Sequence, residues 1–314
     1  MRAVFAALLA ACAISGCAEP PWLLSGDLEP AVTKATTGRS GADRDPETSR
    51  DGALLFYAST SHGETYDLYV KSVGSNTTTR LTTGPGDERF PRLSPVNPRM
   101  LVFCSNEGGS WALYLMQDYA DQPKKTVVLS EPGTDNLHPS WSPDGKKIVY
   151  CSTPSARSGE WVLKIKDLAT GLTTVLEDVD GMLPDWAPEG NRIVFQRMKH
   201  RDDWLSSIWT LDFENGAARN VTSIFSSDDW AAINPAWSPD GRRIAFATVG
   251  KSRARKGMLA QADDLWVVGA DGVNSTRLTT SPAPDWMPCW AKDGRVYFVS
   301  ERSGSGRIWS LIAP

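Results

Sequence analysis

The chain has 314 residues, 41% of them hydrophobic and 22% charged, with a net charge of −4. That balance suits a soluble globular protein with a large core, and the charge gives no global argument for nucleic acid. Thirteen tryptophans stand against three histidines.

The first residues read as a targeting segment. Arg2 is followed by an unbroken apolar run from Ala3 to Ile14, too short to span a bilayer as a mature helix. The run ends in Ile14-Ser15-Gly16-Cys17, which looks like a bacterial lipobox. In that reading residues 1–16 are a lipoprotein signal peptide and Cys17 carries the lipid. An ordinary signal peptide is the alternative; a cysteine at the boundary favours lipidation. Two or three acyl chains would anchor the chain firmly. Ala18, in place of aspartate after the cysteine, leans towards the periplasmic face of the outer membrane. Residues 17–31, with Pro20, Pro21 and Pro30, read as a tether.

From there the chain repeats. HPSWSPDGKKIVY (138–150) recurs as LPDWAPEGNRIVF (183–195), NPAWSPDGRRIAF (234–246) and MPCWAKDGRVYF (287–298). Two looser copies precede them at 45–57 and 90–103. The anchoring prolines, Pro46, Pro91, Pro139, Pro184, Pro235 and Pro288, are spaced by 45, 48, 45, 51 and 53 residues. Six copies at this period predict an all-β, six-bladed propeller over 32–314, built from four-stranded antiparallel blades. Pro-x-Trp is strand a. Asp-Gly marks the a–b turn, because glycine accepts positive φ. Apolar strands b and c and a Thr-rich strand d follow.

Six a, b and c strands are present but five d strands, since the chain stops after the sixth c. Thr33-Lys34-Ala35-Thr36-Thr37-Gly38 resembles Thr79-Arg80-Leu81-Thr82-Thr83-Gly84 of the first blade. Residues 32–37 are therefore expected to cross the seam as an N-terminal strand that completes the last blade and covers its edge.

The Pro-x-Trp-Ser-Pro-Asp-Gly turn, followed by a basic residue and an apolar strand, resembles the TolB-type propeller repeat. The resemblance implies a six-bladed propeller of the cell envelope that binds partner proteins. Similar repeats also occur in propeller enzymes.

Aligned copies give each residue a structural role. Trp141, Trp186, Trp237 and Trp290 share a column that reads as inter-blade packing. Tyr69, Tyr114, Trp209, Trp266 and Trp309 form a second, also read as core. Cys104 and Cys151 fall in a column of mostly small residues and read as buried free thiols.

Function is expected on one rim. The a–b and c–d turns share one end of the propeller and are short. The b–c and d–a loops share the other and carry the variation. Candidate binding residues there are His62, His138 and His200, with Arg197, Lys199 and Arg201, then Lys251, Arg253, Arg255 and Lys256. Acidic d–a loops add Asp135, Asp228 and Asp229, together with Asp43, Asp45, Asp87, Glu88, Asp178, Asp180 and Asp285. No G-x-S-x-G elbow, H-E-x-x-H or phosphate loop is present. The reading is a lipid-anchored, monomeric, non-catalytic propeller that needs no cofactor and binds an envelope protein or extended peptide. A metal-dependent polysaccharide lyase or hydrolase on the same rim, with a divalent ion near His138 in the channel, is the alternative.

Overall fold

The computed structural model describes residues 30–38, 40–154, 161–198, 205–251 and 264–314. Among these, strands form six four-stranded antiparallel sheets. Blade one is β2 (Asp43–Thr48), β3 (Leu54–Ser59), β4 (Asp67–Ser72) and β5 (Thr78–Arg80). Blade two is β6 (Glu88–Leu93), β7 (Met100–Ser105), β8 (Ala112–Gln117) and β9 (Lys124–Leu129). Blade three is β10 (Thr134–Trp141), β11 (Lys147–Pro154), β12 (Val162–Asp167) and β13 (Thr173–Asp180). Blade four is β14 (Met182–Trp186), β15 (Arg192–Met198), β16 (Ser206–Glu214) and β17 (Ala217–Phe225). Blade five is β18 (Trp230–Trp237), β19 (Arg243–Gly250), β20 (Leu265–Gly269) and β21 (Thr276–Arg277). Blade six takes β22 (Asp285–Trp290), β23 (Arg295–Ser300) and β24 (Arg307–Ile312) from the C-terminus and β1 (Thr33–Lys34) from near the N-terminus.

Each strand b is an almost continuous apolar run because neighbouring blades cover both of its faces. Its aromatic column, Phe56, Phe103, Tyr150, Phe195, Phe246 and Phe298, is fully buried. Burying each such side chain contributes about 1.5–3 kcal/mol. The tryptophan column is also buried, and it ties blades together by more than packing. Trp141 Nε1 donates to the Arg92 carbonyl at 2.9 Å, and Trp237 Nε1 to that of Asp185 at 3.1 Å, each on the preceding blade. In the second aromatic column Tyr69, Tyr114 and Trp266 are buried. Trp209 and Trp309 are partly exposed, with Arg197 and Arg302 lying over their rings. Cys104, Cys151 and Cys289 are buried and free.

The ring closes at the seam. Thr33 pairs with Ser310 and Lys34 with Trp309. Beyond this short strand, Ala35 N–H donates to the Ile308 carbonyl at 2.8 Å. Thr36 Oγ1 accepts the Ile308 N–H at 3.1 Å and donates to Asp43 at 2.6 Å. Asp43 also accepts from Ser59 and faces Arg307 at 3.4 Å. A buried polar node thus locks the last blade to the first.

Asp43 corrects part of the acidic-rim expectation. Asp43, Asp45, Glu88, Asp135 and Asp285 are not loop residues; they lie within the a strands, all but Asp135 buried, while Asp178 and Asp180 lie within β13. The reason is that strand a starts ahead of the Pro-x-Trp core, and its first acids bond inward. Glu88 accepts from Ser105 and faces Lys125, and Asp285 pairs with Arg302 at 2.8 Å.

Candidate functional site in the central channel

The six a strands touch one another around a closed ring and line a central channel. Every one carries the same irregularity. Between Arg44 and Glu47, Arg89 and Arg92, Leu137 and Ser140, Met182 and Asp185, Ile233 and Ala236, and Trp286 and Cys289, strand a has one residue more than its strand b partner. These are β-bulges, which bend a strand and re-aim its side chains. The proline of Pro-x-Trp sits in the bulge, where the ladder is interrupted and its missing N–H costs little. The residue before it takes positive φ in all six blades: Asp45, Phe90, His138, Leu183, Asn234 and Met287 lie between 50° and 56°. For residues other than glycine this left-handed conformation is strained.

These six residues, with Pro46, Pro91, Pro184, Pro235 and Pro288, form the waist of the channel, around a cavity of about 50 Å³. His138 is among its lining residues, and its ring is also packed against protein. Its Nδ1 lies 3.3 Å from Cys151 Sγ and its ring is 4.1 Å from that of Phe90. Burial pushes the imidazole down to about 3, opposed by the Asp45 charge and reinforced by Arg89 and Arg92. Asp45 is itself held by a two-pronged ion pair with Arg89, at 2.8 and 3.0 Å.

Beyond the waist the channel widens towards the a–b turns into a mouth of about 350 Å³. The bulge turns the residue after each bulge proline into it: Glu47, Arg92, Ser140, Asp185, Ala236 and Cys289. Arg92 pairs with Glu47 at 3.0 Å. Asp185 accepts from Ser140 Oγ at 3.0 Å and from the Trp237 N–H at 2.8 Å. Burial raises the Glu47 carboxyl and the Cys289 thiol above their usual ranges. That position after the proline stands out in no single copy. Its changing chemistry, acid to base to thiol, is the signal that aligned copies offer.

Of the residues expected from the sequence to bind, the opposite rim holds His62, Asp135, Arg197, Asp228, Asp229 and Lys251 among the described residues. His62 is exposed and its Nδ1 lies 2.7 Å from the Tyr69 hydroxyl. Asp135 accepts the Trp111 N–H at 3.0 Å. Arg197 pairs with Asp180 at 2.6 Å. The Asp229 carbonyl accepts the Lys251 N–H at 2.8 Å, and Asp228 is exposed beside it. Cys17, Lys199, His200, Arg201, Arg253, Arg255 and Lys256 lie outside the described residues. Among the described residues, no three His, Cys, Asp or Glu side chains come together in a way that could hold a metal ion. His138 sits in the waist and His62 on a loop of another blade.

With six blades, the seam and the channel in view, the chain can be set beside known proteins. The model of the TolB beta propeller domain matches residues 21–208 and 120–256. The chain belongs to this family. A Tol-Pal system protein TolB from Anaeromyxobacter sp. (strain K) is 31% identical over 182 residues, which cover 58% of this chain and 27% of that relative. The chain thus matches about a quarter of the length of that TolB. Two solved structures share the fold. TolB from Acinetobacter baumannii superposes with a TM-score of 0.63 at 16% identity, over 84% of this chain and 64% of that one. The oligogalacturonate lyase from Vibrio parahaemolyticus does so with a TM-score of 0.63 at 15% identity, over 92% and 95%. Identities this low speak for the propeller alone, which hosts both binding proteins and enzymes.

Proposed function

We propose that this TolB-family propeller is a non-catalytic binding module of the bacterial cell envelope. It is anchored through a lipid on Cys17 at the periplasmic face of the outer membrane. It works as a monomer and takes an envelope protein, or an extended peptide from one, on the rim of b–c and d–a loops. His62, Asp135, Asp228, Asp229, Arg197 and Lys251 supply contacts there, with Lys199, His200, Arg201, Arg253, Arg255 and Lys256 on the same loops. Family membership supports the binding role, and loops on a rigid scaffold are the usual place for it.

The observation that carries the binding role is membership of the TolB beta propeller family; the state of His138 bears on general acid–base chemistry alone. This histidine lines the channel, meets Cys151 Sγ at 3.3 Å and gains its proton near pH 3. A general acid or base works best with a pKa near the operating pH. His138 is far from that range.

The test is cross-linking in native envelopes followed by mass spectrometry, with metal analysis of the purified chain alongside. Recovery of one envelope protein, reduced when Lys251, Arg253, Arg255 and Lys256 are replaced by serine, is the expected result. A stoichiometric divalent metal that disappears in His138→Ala would instead favour the lyase or hydrolase reading.

A further inference from the structure

Exposed apolar side chains are spread unevenly over the propeller. Among the described residues, none of the large ones lies on the b–c or d–a loops. Three of them take the same place on consecutive blades. Val273 follows strand c of blade five, Ile312 ends strand c of blade six, and Val73 follows strand c of blade one. They are 52%, 49% and 42% exposed. Their backbone is fixed. Val73 N–H donates to the Ala53 carbonyl at 2.8 Å, and Val273 N–H to Asp271 Oδ1 at 3.1 Å. Next to Ile312, Ala313 N–H donates to the Gly294 carbonyl at 3.2 Å. Ala53 and Gly294 belong to a–b turns, so the three side chains stand at the end opposite the loop rim. Aliphatic residues scattered singly on a surface need no explanation. A continuous arc over blades five, six and one does.

The arc is centred on the place where the chain enters the propeller. β1 runs antiparallel to β24, with Thr33 opposite Ser310 and Lys34 opposite Trp309. Residues 30–32 therefore approach beside Ile312, at the a–b turn end. Fully extended, the stretch from Cys17 to Thr33 spans at most about 55 Å. A lipid on Cys17 thus keeps this end of the propeller close to the bilayer. Such a leash raises the effective concentration of a second, weaker contact. Charges of both signs stand on the turns of these blades, among them Arg50, Lys292, Asp51 and Asp271. The apolar side chains, rather than a net charge, are what this edge offers a bilayer.

We propose that Val273, Ile312 and Val73 form a membrane-docking edge. Their side chains enter the interfacial layer of the bilayer that holds the Cys17 lipid, and the loop rim points away from it towards its partner. The proposal rests on the lipid anchor and adds an orientation to it. Three aliphatic side chains are too few to hold the chain by themselves; with the leash they set how it sits.

The test reconstitutes the full chain, purified from membranes, into vesicles of phosphatidylethanolamine and phosphatidylglycerol, with and without brominated acyl chains. One cysteine replaces Val73, Val273, Ile312 or, as a control on the loop rim, exposed Glu64. Each carries an environment-sensitive fluorophore; Cys104, Cys151 and Cys289 are buried and should stay unlabelled. Flotation of the same samples reports the anchor. The chain should float, and labels at 73, 273 and 312 should shift to the blue and be quenched by bromine. The label at 64 should do neither. With the label at 73, Val273→Asp and Ile312→Asp together should lower the quenching at an unchanged melt, each side chain shifting the docked equilibrium about tenfold. Val273→Asp alone decides if Ile312→Asp disturbs β24. A chain that floats with its arc labels in water overturns the docking edge and leaves the anchor standing. A chain that does not float removes the anchor and the docking edge with it. A blue shift without bromine quenching assigns the arc to a second copy of the chain, and equal quenching at 64 denies the orientation; either overturns the proposal.

Discussion

His138 shares its backbone shape with five chemically unrelated residues, so the left-handed bulge at that position belongs to the repeat. What is particular to His138 is its imidazole, and this has a measurable consequence. The folded chain protonates it near pH 3, whereas an unfolded histidine does so near 6.5. Between those values the unfolded state holds one more proton, so His138 subtracts stability as the pH falls below 6.5 and is neutral in effect above it. His138→Leu, a side chain that Leu183 already places at φ 50°, should remove this contribution. In urea melts the variant should gain on the wild type at pH 4.5 relative to pH 7.5; a constant difference at both pH values would count against the assignment. The thiols make a second case. Burial pushes Cys151 up to about 12 and raises Cys104 and Cys289 as well. Because the thiolate is the reactive form, these three should resist a disulfide reagent in the native chain and react on unfolding. Rapid labelling of native protein would contradict the burial.

Among the elements, the seam strand is as short as any and has the widest reach. β1 has two residues, yet Thr36 just beyond it bridges Ile308 and buried Asp43. Thr36→Val keeps the shape and loses both bonds, leaving part of Asp43 unsatisfied. The expected loss is about 1–3 kcal/mol, read as a lower denaturant midpoint at unchanged slope. Deleting residues 31–38 should lower the melting temperature far more, because it uncovers the edge of β24; an unchanged melt would refute closure by this strand. Strands b, c and d, the Asp-Gly turns and the seam were all legible in the sequence, since each rests on local pattern or on likeness between copies. The bulge was not. A residue before proline is normally extended, and nothing in Asp45, Phe90 or Leu183 advertises a left-handed turn.

At the scale of the whole molecule, the lipid anchor and the propeller make separable claims. Cys17→Ser should release the chain from membranes into the soluble fraction on cell fractionation, while its melt stays unchanged. Persistence in the membrane pellet would remove the anchor from the model of function. The repeat grammar determined by itself how many blades there are, where each turn falls and how the ring closes, because a periodic pattern of prolines, tryptophans and apolar runs specifies one unit and its copies. It also named His138 as a candidate on the loop rim, and the tertiary structure places that residue in the waist instead. The mouth could not be read in the same way. Glu47, Arg92, Asp185 and Cys289 occupy the variable position after the anchoring proline, and within any one copy that position reads as a spacer. Periodicity makes such positions equivalent but does not say that they face one another. Only closure of six blades about an axis brings together side chains more than forty residues apart in sequence, and only the bulge in each a strand turns them into a shared space.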